Sequence, residues 1–587
     1  MPLPQATNPA PPGIFSRRPW LSPLLLLGLC LALFFGRLGD YPLWNPWEPK
    51  YPQTAWEMQQ NDSLLTPRYQ GQIRWTKPVL FYWIESLSAG VLGYSEFSAR
   101  LPSALAASLG VLLLCQILTR LYDPGTGFVA GAVLATFPQY LMLARQAMPD
   151  MVFTLFMTAS LGWLALALFD DIQRRSMHRR LAALALGCAL LTKGPLALAI
   201  VVGVLILYFL WVQLTTPPAL ALPWWSALRT FAHDLALLPG LGLVLLVAGP
   251  WYLAMLALHG QEFIHQFFYY ENIERFSRPI RKQFGDALFY GRAVVFGWFP
   301  WSALLPVALP FMLRGRLHSL ELRKLAFFLL WALAVLLILS MAGTKFQHYS
   351  LPAAPAVAAL VALFLRHNFR AHAPGWTALA WLFSITVVYM VTSNLGTDKG
   401  ELLLFDQALP EITTRQLVND ATFDQHLALV LGAWGVLALA ASIWRGRRWL
   451  LAALLLVALG NALNTAWELM PHQTRREWIP PYVALLKTHG TPSSRVVMFD
   501  TRESPAFFYY FRVQHPMSEV THFYTQDWRP FLHYINSRQD VFVIIANRYK
   551  DESPWNTRLA ALDQRPWVAL EVEDSRYQAF YKKSQVP

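Results

Sequence analysis

The stretch MPDMVFTLFMTASLGWLALALFDDIQRRSMHRRLAALALGCALLTKGP, residues 148–195, decides how the chain folds. Residues 151–169 carry no charge, close to the ~20 apolar residues that cross a bilayer core as an α-helix. Asp170, Asp171, Arg174, Arg175, Arg179 and Arg180 then interrupt the run, and a second apolar stretch over 180–193 ends at Lys193. Two antiparallel spans follow from this pattern. Asp150 and Lys193 therefore fall at one end of the pair and the arginines at the other.

The same reading gives thirteen spans along the chain, at about 20–36, 98–119, 126–144, 151–169, 180–193, 195–213, 235–256, 293–313, 324–342, 349–366, 376–393, 426–444 and 448–466. The composition agrees: 55% of the 587 residues are hydrophobic and 14% charged, against about 25% charged in soluble domains. The net charge of +13 does not mark a nucleic-acid binder, because its cations do not share one solvated face. They fall in clusters between spans: Arg17-Arg18, Arg174-Arg175 with Arg179-Arg180, Arg314 and Arg316 with Arg323-Lys324, and Arg445 with Arg447-Arg448. With the N-terminus inside, every cluster lands on the cytoplasmic side, as the positive-inside rule requires. Segments 37–97, 145–150, 257–292, 343–348, 394–425 and the C-terminus then lie outside. The first span reads as a retained anchor, since no small-residue cleavage site follows it. Cys30, Cys115 and Cys188 sit in apolar runs as small buried hydrophobes.

Residues 1–466 thus read as a membrane domain of mainly α class, with amphipathic external helices in the aromatic and charge-rich loop 37–97. Residues 467–587 read as a small soluble α/β domain on the periplasmic side, with strands in Arg495-Val-Val-Met-Phe, Val541-Phe-Val-Ile-Ile and Trp567-Val-Ala-Leu-Glu-Val. No internal repeat, phosphate-binding glycine loop or cysteine cluster is visible.

Ionisable residues near membrane depth are costly and mark function by default. On the outer face these are Glu48, Lys77, Asp150, Lys193, Glu271, Arg275 and Lys345. Carboxylates there can act as a general base or bind a cation, and the basic groups can hold a phosphate. Plainer roles stand beside these: Lys193 and Lys345 snorkelling to the interface, Asp150 capping the next helix, Glu48 as an interfacial residue, and His265, His348 and His472 as structural histidines.

Several elements occur together in order. They are Pro42-Leu-Trp-Asn-Pro-Trp-Glu-Pro-Lys-Tyr, Gly71-Gln-Ile-Arg-Trp-Thr-Lys-Pro-Val-Leu-Phe-Tyr-Trp, Phe97-Ser-Ala-Arg-Leu-Pro-Ser-Ala, Met148-Pro-Asp-Met, Leu191-Thr-Lys-Gly-Pro, Glu271-Asn-Ile-Glu-Arg-Phe and Tyr349-Ser-Leu-Pro-Ala-Ala-Pro. Across approximately residues 20–370 they resemble polytopic lipid-carrier-dependent glycosyltransferases of the GT-C superfamily, which includes bacterial aminoarabinose (lipid A) transferases and protein O-mannosyltransferases. The resemblance implies an inner-membrane enzyme moving a sugar from a polyprenyl (undecaprenyl) phosphate carrier, with inversion, to an acceptor at the periplasmic face: lipid A, another glycan or a protein. It implies Lys77 on the carrier phosphate, with Lys193, Arg275 and Lys345 in support. Glu48 and Asp150 are the implied catalytic carboxylates, and Tyr51, Tyr82 and Tyr349 walls of the substrate pocket. A divalent cation stays open as a cofactor.

Two positions depart from the family pattern. Trp47 stands where the favoured catalytic Asp precedes the Glu, and Thr76 stands where several members carry Glu before the lysine. Tryptophan neither accepts a proton nor binds a metal. Either Glu48 or Asp150 takes over, or the chain is a pseudoenzyme or a lipid-binding protein with the same fold. A phosphate acceptor, already ionised near neutral pH, would tolerate the loss of the Asp; a hydroxyl acceptor would not. A transporter fits less well, since its site would lie near the midplane in broken helices.

Overall fold

A computed structural model describes residues 14–217, 222–278, 288–305 and 319–370. Within 455–582 it describes residues 455, 458–460, 462–463, 465–471, 479–489, 494–499, 506, 509–514, 519–523, 528–536, 541–546, 568–570 and 577–582. The chain enters through α1 (Ile14–Arg17) and α2 (Leu21–Cys30), which continues as a π-helical turn over Leu31–Phe35. The charge-rich loop that follows folds into α3 (Lys50–Gln60), a hairpin of β1 (Arg68–Tyr69) and β2 (Gln72–Ile73), and the apolar α4 (Leu80–Leu92). Gln70 and Gly71 turn this hairpin at φ 54° and 78°, the left-handed pair that suits a two-residue connection. Glu57 accepts from both turn amides, at 2.7 and 2.9 Å.

The bundle proper runs through α5 (Glu96–Leu121), α6 (Pro124–Ala135), α7 (Pro138–Ala144), α8 (Pro149–Phe169), α9 (Arg175–Lys193), α10 (Leu196–Thr215), α11 (Trp224–Asp234) and α12 (Leu237–Phe263). It continues through a π-helical run over Ile264–Glu274, α13 (Arg275–Ser277), α14 (Phe289–Gly297), α15 (Ser319–Met341) and α16 (Ala354–Arg370). Among the described residues six helical segments are long and apolar enough to cross a membrane: Glu96–Leu121, Pro149–Phe169, Leu196–Thr215, Leu237–Ser277, Leu320–Met341 and Gln347–Arg366. Sequence signals set their ends. Ser95 and Ser98 cap α5 reciprocally, each side chain bonding the other's backbone amide. Pro124 opens α6 behind the cap Asp123, and Gly194 at φ 75° closes α9.

One expected span is corrected. Residues 126–144 form α6 and α7, bent by 70°, because Pro138 has no amide proton and holds Phe137 extended at ψ 122°. The span expected at about 293–313 begins inside α14 and passes into a 3₁₀ turn over Trp301–Leu304; its remainder lies outside the described residues. So do the spans expected at about 376–393 and 426–444, and most of that at 448–466.

The long helices pack through small residues, as helices do where lipid is as apolar as the side chains. A Cβ on Gly187 of α9 would stand 2.7 Å from Val247 Cβ of α12, and one on Gly162 of α8 would collide with Ile117 of α5. Near the C-terminus lie α17 (Ile479–His489), α18 (Trp528–Asn536) and a five-stranded sheet. The sheet comprises β3 (Arg495–Phe499), β4 (Glu519–Phe523), β5 (Val541–Ala546), β6 (Val568–Leu570) and β7 (Tyr577–Lys582), in the order β4-β3-β5-β7-β6. β4, β3 and β5 are parallel and β7 antiparallel to β5 and β6. Alternate residues serve two cores. Val497, Phe499 and Val543 meet Phe531 and Ile535 of α18, while Val496, Met498 and Ile544 face a cluster that includes Leu43, Ala99 and Ala147 of the bundle. Tyr510 Oη accepts from the Leu43 amide at 2.8 Å, which fastens this region to the first loop.

Candidate active site

The first turn of α8, the last of α9, the loop ahead of α4, the π-helical run and the 3₁₀ segment Gln347–Ala353 converge at one end of the bundle. They enclose a cavity of about 230 Å³ whose lining includes Lys50, Tyr51, Arg74, Lys77, Asp150, Lys193, Glu271, Arg275, His348 and Tyr349. Antiparallel packing of α8 and α9 brings Asp150 and Lys193 together: Nζ donates to Oδ1 at 2.6 Å, and both are almost fully buried. His348 Nε2 stands 3.7 Å from the same oxygen. Lys193 also lies over the rings of Tyr349 and Phe153, at 5.1 and 5.3 Å.

The second carboxylate is paired as well. Arg275 donates to Glu271 at 2.8 Å and to Tyr349 Oη at 3.1 Å. The segment bearing His348 and Tyr349 is moored to α7, where Gln139 Nε2 donates to the Gln347 carbonyl at 2.7 Å. Arg74 is fixed by donating to the Lys50 carbonyl, Thr54 and Thr76, at 2.7, 2.9 and 3.1 Å. Its guanidinium lies 4.7 Å from the centre of the Tyr51 ring and 5.8 Å from that of Tyr82. Lys77 forms no hydrogen bond or ion pair among the described residues. Burial, then the neighbouring Arg275 and Lys193, pull its ammonium down to about 7. Burial likewise raises the Tyr51 phenol, keeping it neutral.

The cavity therefore has five basic side chains (Lys50, Arg74, Lys77, Lys193 and Arg275) and two carboxylates, each already in an ion pair. Such a site attracts an anion, and it is bounded by the aromatic faces of Trp47, Tyr51, Phe346 and Tyr349. Among the described residues no three His, Cys, Asp or Glu side chains converge as a metal site.

Of the residues singled out in the sequence, Asp150, Lys77, Lys193, Arg275, Tyr51 and Tyr349 line the cavity. Tyr82 lies one layer behind, its ring 6.1 Å from that of Tyr51. Lys345 is half-buried and is not among the lining residues. Glu48 is placed elsewhere. It is 1% exposed and accepts from Arg100 Nε and Nη2 at 3.0 and 2.9 Å, from the Trp44 amide at 2.5 Å and from the Ala147 amide at 2.7 Å. Arg100 spends its other protons on the carbonyls of Leu38, Tyr41 and Pro42. The pair binds the first loop to α5 and to the turn ahead of Asp150. Trp47, next to Glu48, does line the cavity, edge-on to Phe346 with ring centres 5.7 Å apart. Among the basic lining residues, Lys50, Arg74 and His348 are those not selected as site residues from the sequence. The signal for Arg74 was a lone arginine between Tyr69 and Trp75, and that for His348 its place beside Tyr349.

Comparison with known proteins places the fold. Residues 76–251 match the family model described as dolichyl-phosphate-mannose-protein mannosyltransferase. An undecaprenyl phosphate-alpha-4-amino-4-deoxy-L-arabinose arabinosyl transferase of Pseudomonas paraeruginosa is 30% identical over 452 residues, which cover 76% of this chain and 75% of that protein. A second transferase of that name, from Pseudomonas fluorescens, is 31% identical over 360 residues, 60% of each chain. In fold, the chain matches the crystal structure of ArnT from Cupriavidus metallidurans bound to undecaprenyl phosphate with a TM-score of 0.71 at 18% identity, over 97% of this chain and 98% of that one. An identity of 30% spread over three quarters of both sequences, on a shared GT-C fold, makes this chain a member of the undecaprenyl phosphate aminoarabinose arabinosyl transferase family of membrane glycosyltransferases.

Proposed function

We propose that the protein transfers a sugar from a polyprenyl phosphate carrier, undecaprenyl phosphate in a bacterial inner membrane, to an acceptor on the periplasmic face. One observation carries this reading: five basic groups surround a cavity whose two carboxylates are already paired. A donor whose leaving group is a lipid phosphate needs cations at that depth and no nucleotide pocket. The positions of the basic clusters at the opposite span ends support the outward orientation.

Lys77, Lys193 and Arg275 hold the carrier phosphate and stabilise the charge that grows on it as the anomeric bond breaks. Lys77, depressed by burial and then by Arg275 and Lys193, takes up a proton as the phosphate enters, because an adjacent anion favours the charged ammonium. Asp150, held by Lys193 and faced by His348, is the carboxylate that orients the acceptor. Glu48 serves as scaffold. With Trp47 in place of an acid, the cavity suits an acceptor that arrives ionised, so the acceptor is an envelope phosphate such as those of lipid A. Glycan hydroxyls and protein hydroxyls are the alternatives.

The test is transfer by the purified protein from undecaprenyl phosphate aminoarabinose to lipid A, read by the mass of the product. A pentose-sized aminosugar increment on lipid A phosphate supports the reading. Turnover with dephosphorylated lipid A, or with no polyprenyl-linked sugar at all, sinks the acceptor or the donor assignment respectively.

A further inference from the structure

A second cavity, of about 730 Å³, lies apart from the first, within the size range of small-molecule sites. Its position follows from helix geometry. On α8 its lining includes Leu155, Phe156, Ala159 and Trp163. At 100° per residue these fall within about 60° of the point opposite Asp150. On α9, Leu181, Leu184 and Cys188 stand in the same relation to Lys193. The groove thus occupies the back of the helix pair whose front carries the Asp150–Lys193 bond. It reaches towards the basic end, since α5 lines it from Leu109 to Thr119 and the entry to α2 lines it through Pro19 and Pro23.

Its walls are apolar apart from Ser22, Cys115, Gln116 and Thr119 and are open to the surroundings, with Leu109 54% and Leu184 38% exposed. The polar atoms of Ser22 and Cys115 are bonded to each other at 3.2 Å and ask nothing of an occupant. Arg18 directly precedes the lining residue Pro19, and Arg180 directly precedes Leu181. Arg17, Arg18 and Arg180 are exposed, and their side chains form no ion pair among the described residues. Arg120, at the end of α5, is by contrast engaged with Asp170 at 3.6 Å. A largely apolar slot whose lining residues are flanked in sequence by three exposed guanidiniums is complementary to an acyl chain joined to a phosphate.

We propose that the groove behind α8 and α9 binds an anionic phospholipid of the leaflet at the basic end, one acyl chain lying between α5, α8 and α9 and the phosphate held by Arg17, Arg18 and Arg180. The site is separate from the cavity that takes the sugar carrier and stands whether or not the proposed transfer does.

Native mass spectrometry of the full-length protein, released from detergent with phosphatidylglycerol or phosphatidylcholine of identical chains, tests this. Wild type should retain phosphatidylglycerol preferentially. Each arginine replaced by glutamine should weaken that binding about fivefold, and R17Q/R18Q/R180Q together about a hundredfold. Leu109→Trp and Leu184→Trp, at exposed positions where the fold tolerates bulk, should fill the slot and release the lipid with the arginines intact. Equal retention of both lipids by wild type, or phosphatidylglycerol binding that survives both tryptophans in a protein of unchanged melting temperature, overturns the proposal.

Discussion

Replacing Glu48 by glutamine separates a scaffold from a catalyst. The Glu48 carboxylate takes four donors, two of them from Arg100, and both side chains are essentially sealed from solvent. Glutamine keeps the shape but removes the charge, and it turns an amide NH₂ towards at least one donor it must replace. Breaking one partner out of a buried ion pair costs about 3–5 kcal/mol. Three carbonyls still accept from Arg100, so the lower end, about 3 kcal/mol, is expected. The assay is thermal unfolding in detergent, with carrier-phosphate binding measured on the same sample. Glu48→Gln should melt earlier and bind more weakly, because the turn that leads to Asp150 loses its anchor at Ala147. The double variant Glu48→Gln/Arg100→Met should regain only part of the melting temperature: no unpaired charge remains buried, but the carbonyls of Leu38, Tyr41 and Pro42 lose their donor. A single variant that melts like wild type yet transfers no sugar would refute the reasoning and return Glu48 to the chemistry.

Asp150→Asn should reduce turnover by about a hundredfold or more while changing carrier affinity far less, read by splitting kcat from KM; activity within threefold of wild type would remove Asp150 from catalysis. The pH dependence has a definite sign. Lys77 is charged below about 7 and a bound phosphate favours that form, so carrier affinity should fall by up to about tenfold per unit as pH rises above 7. Lys77→Arg, which stays charged, should flatten that slope in a binding titration. Arg74→Met removes three hydrogen bonds from a charged donor and should lower stability by about 2 kcal/mol or more, with fluorescence of Trp47 and Trp75 reporting a loosened first loop.

How much of this was legible in the sequence depends on the separation over which each feature acts. The Asp150–Lys193 bond follows from two span ends joined by one short turn, because antiparallel helices of matched length return their termini to one level. The capture of Glu48 by Arg100 does not, since the partners are 52 residues apart and nothing local marks a glutamate as occupied. The break between α6 and α7 was written in Pro138, but the apolar run around it outweighed a single residue. Strands β3 and β5 announce themselves as unbroken apolar runs, as buried parallel strands do. β4, as Glu-Val-Thr-His-Phe, and β7, as Tyr-Gln-Ala-Phe-Tyr-Lys, are half polar and take their identity from the neighbours they pair with.

The hydrogen bond from the Leu43 amide to Tyr510 joins residues separated by 467 positions. During synthesis the first loop is exposed while more than four hundred residues are still to be made, and it gains this tether only when Tyr510 reaches the same side of the membrane. Fastening of the first loop to the C-terminal sheet region is therefore a late event in the life of the nascent chain.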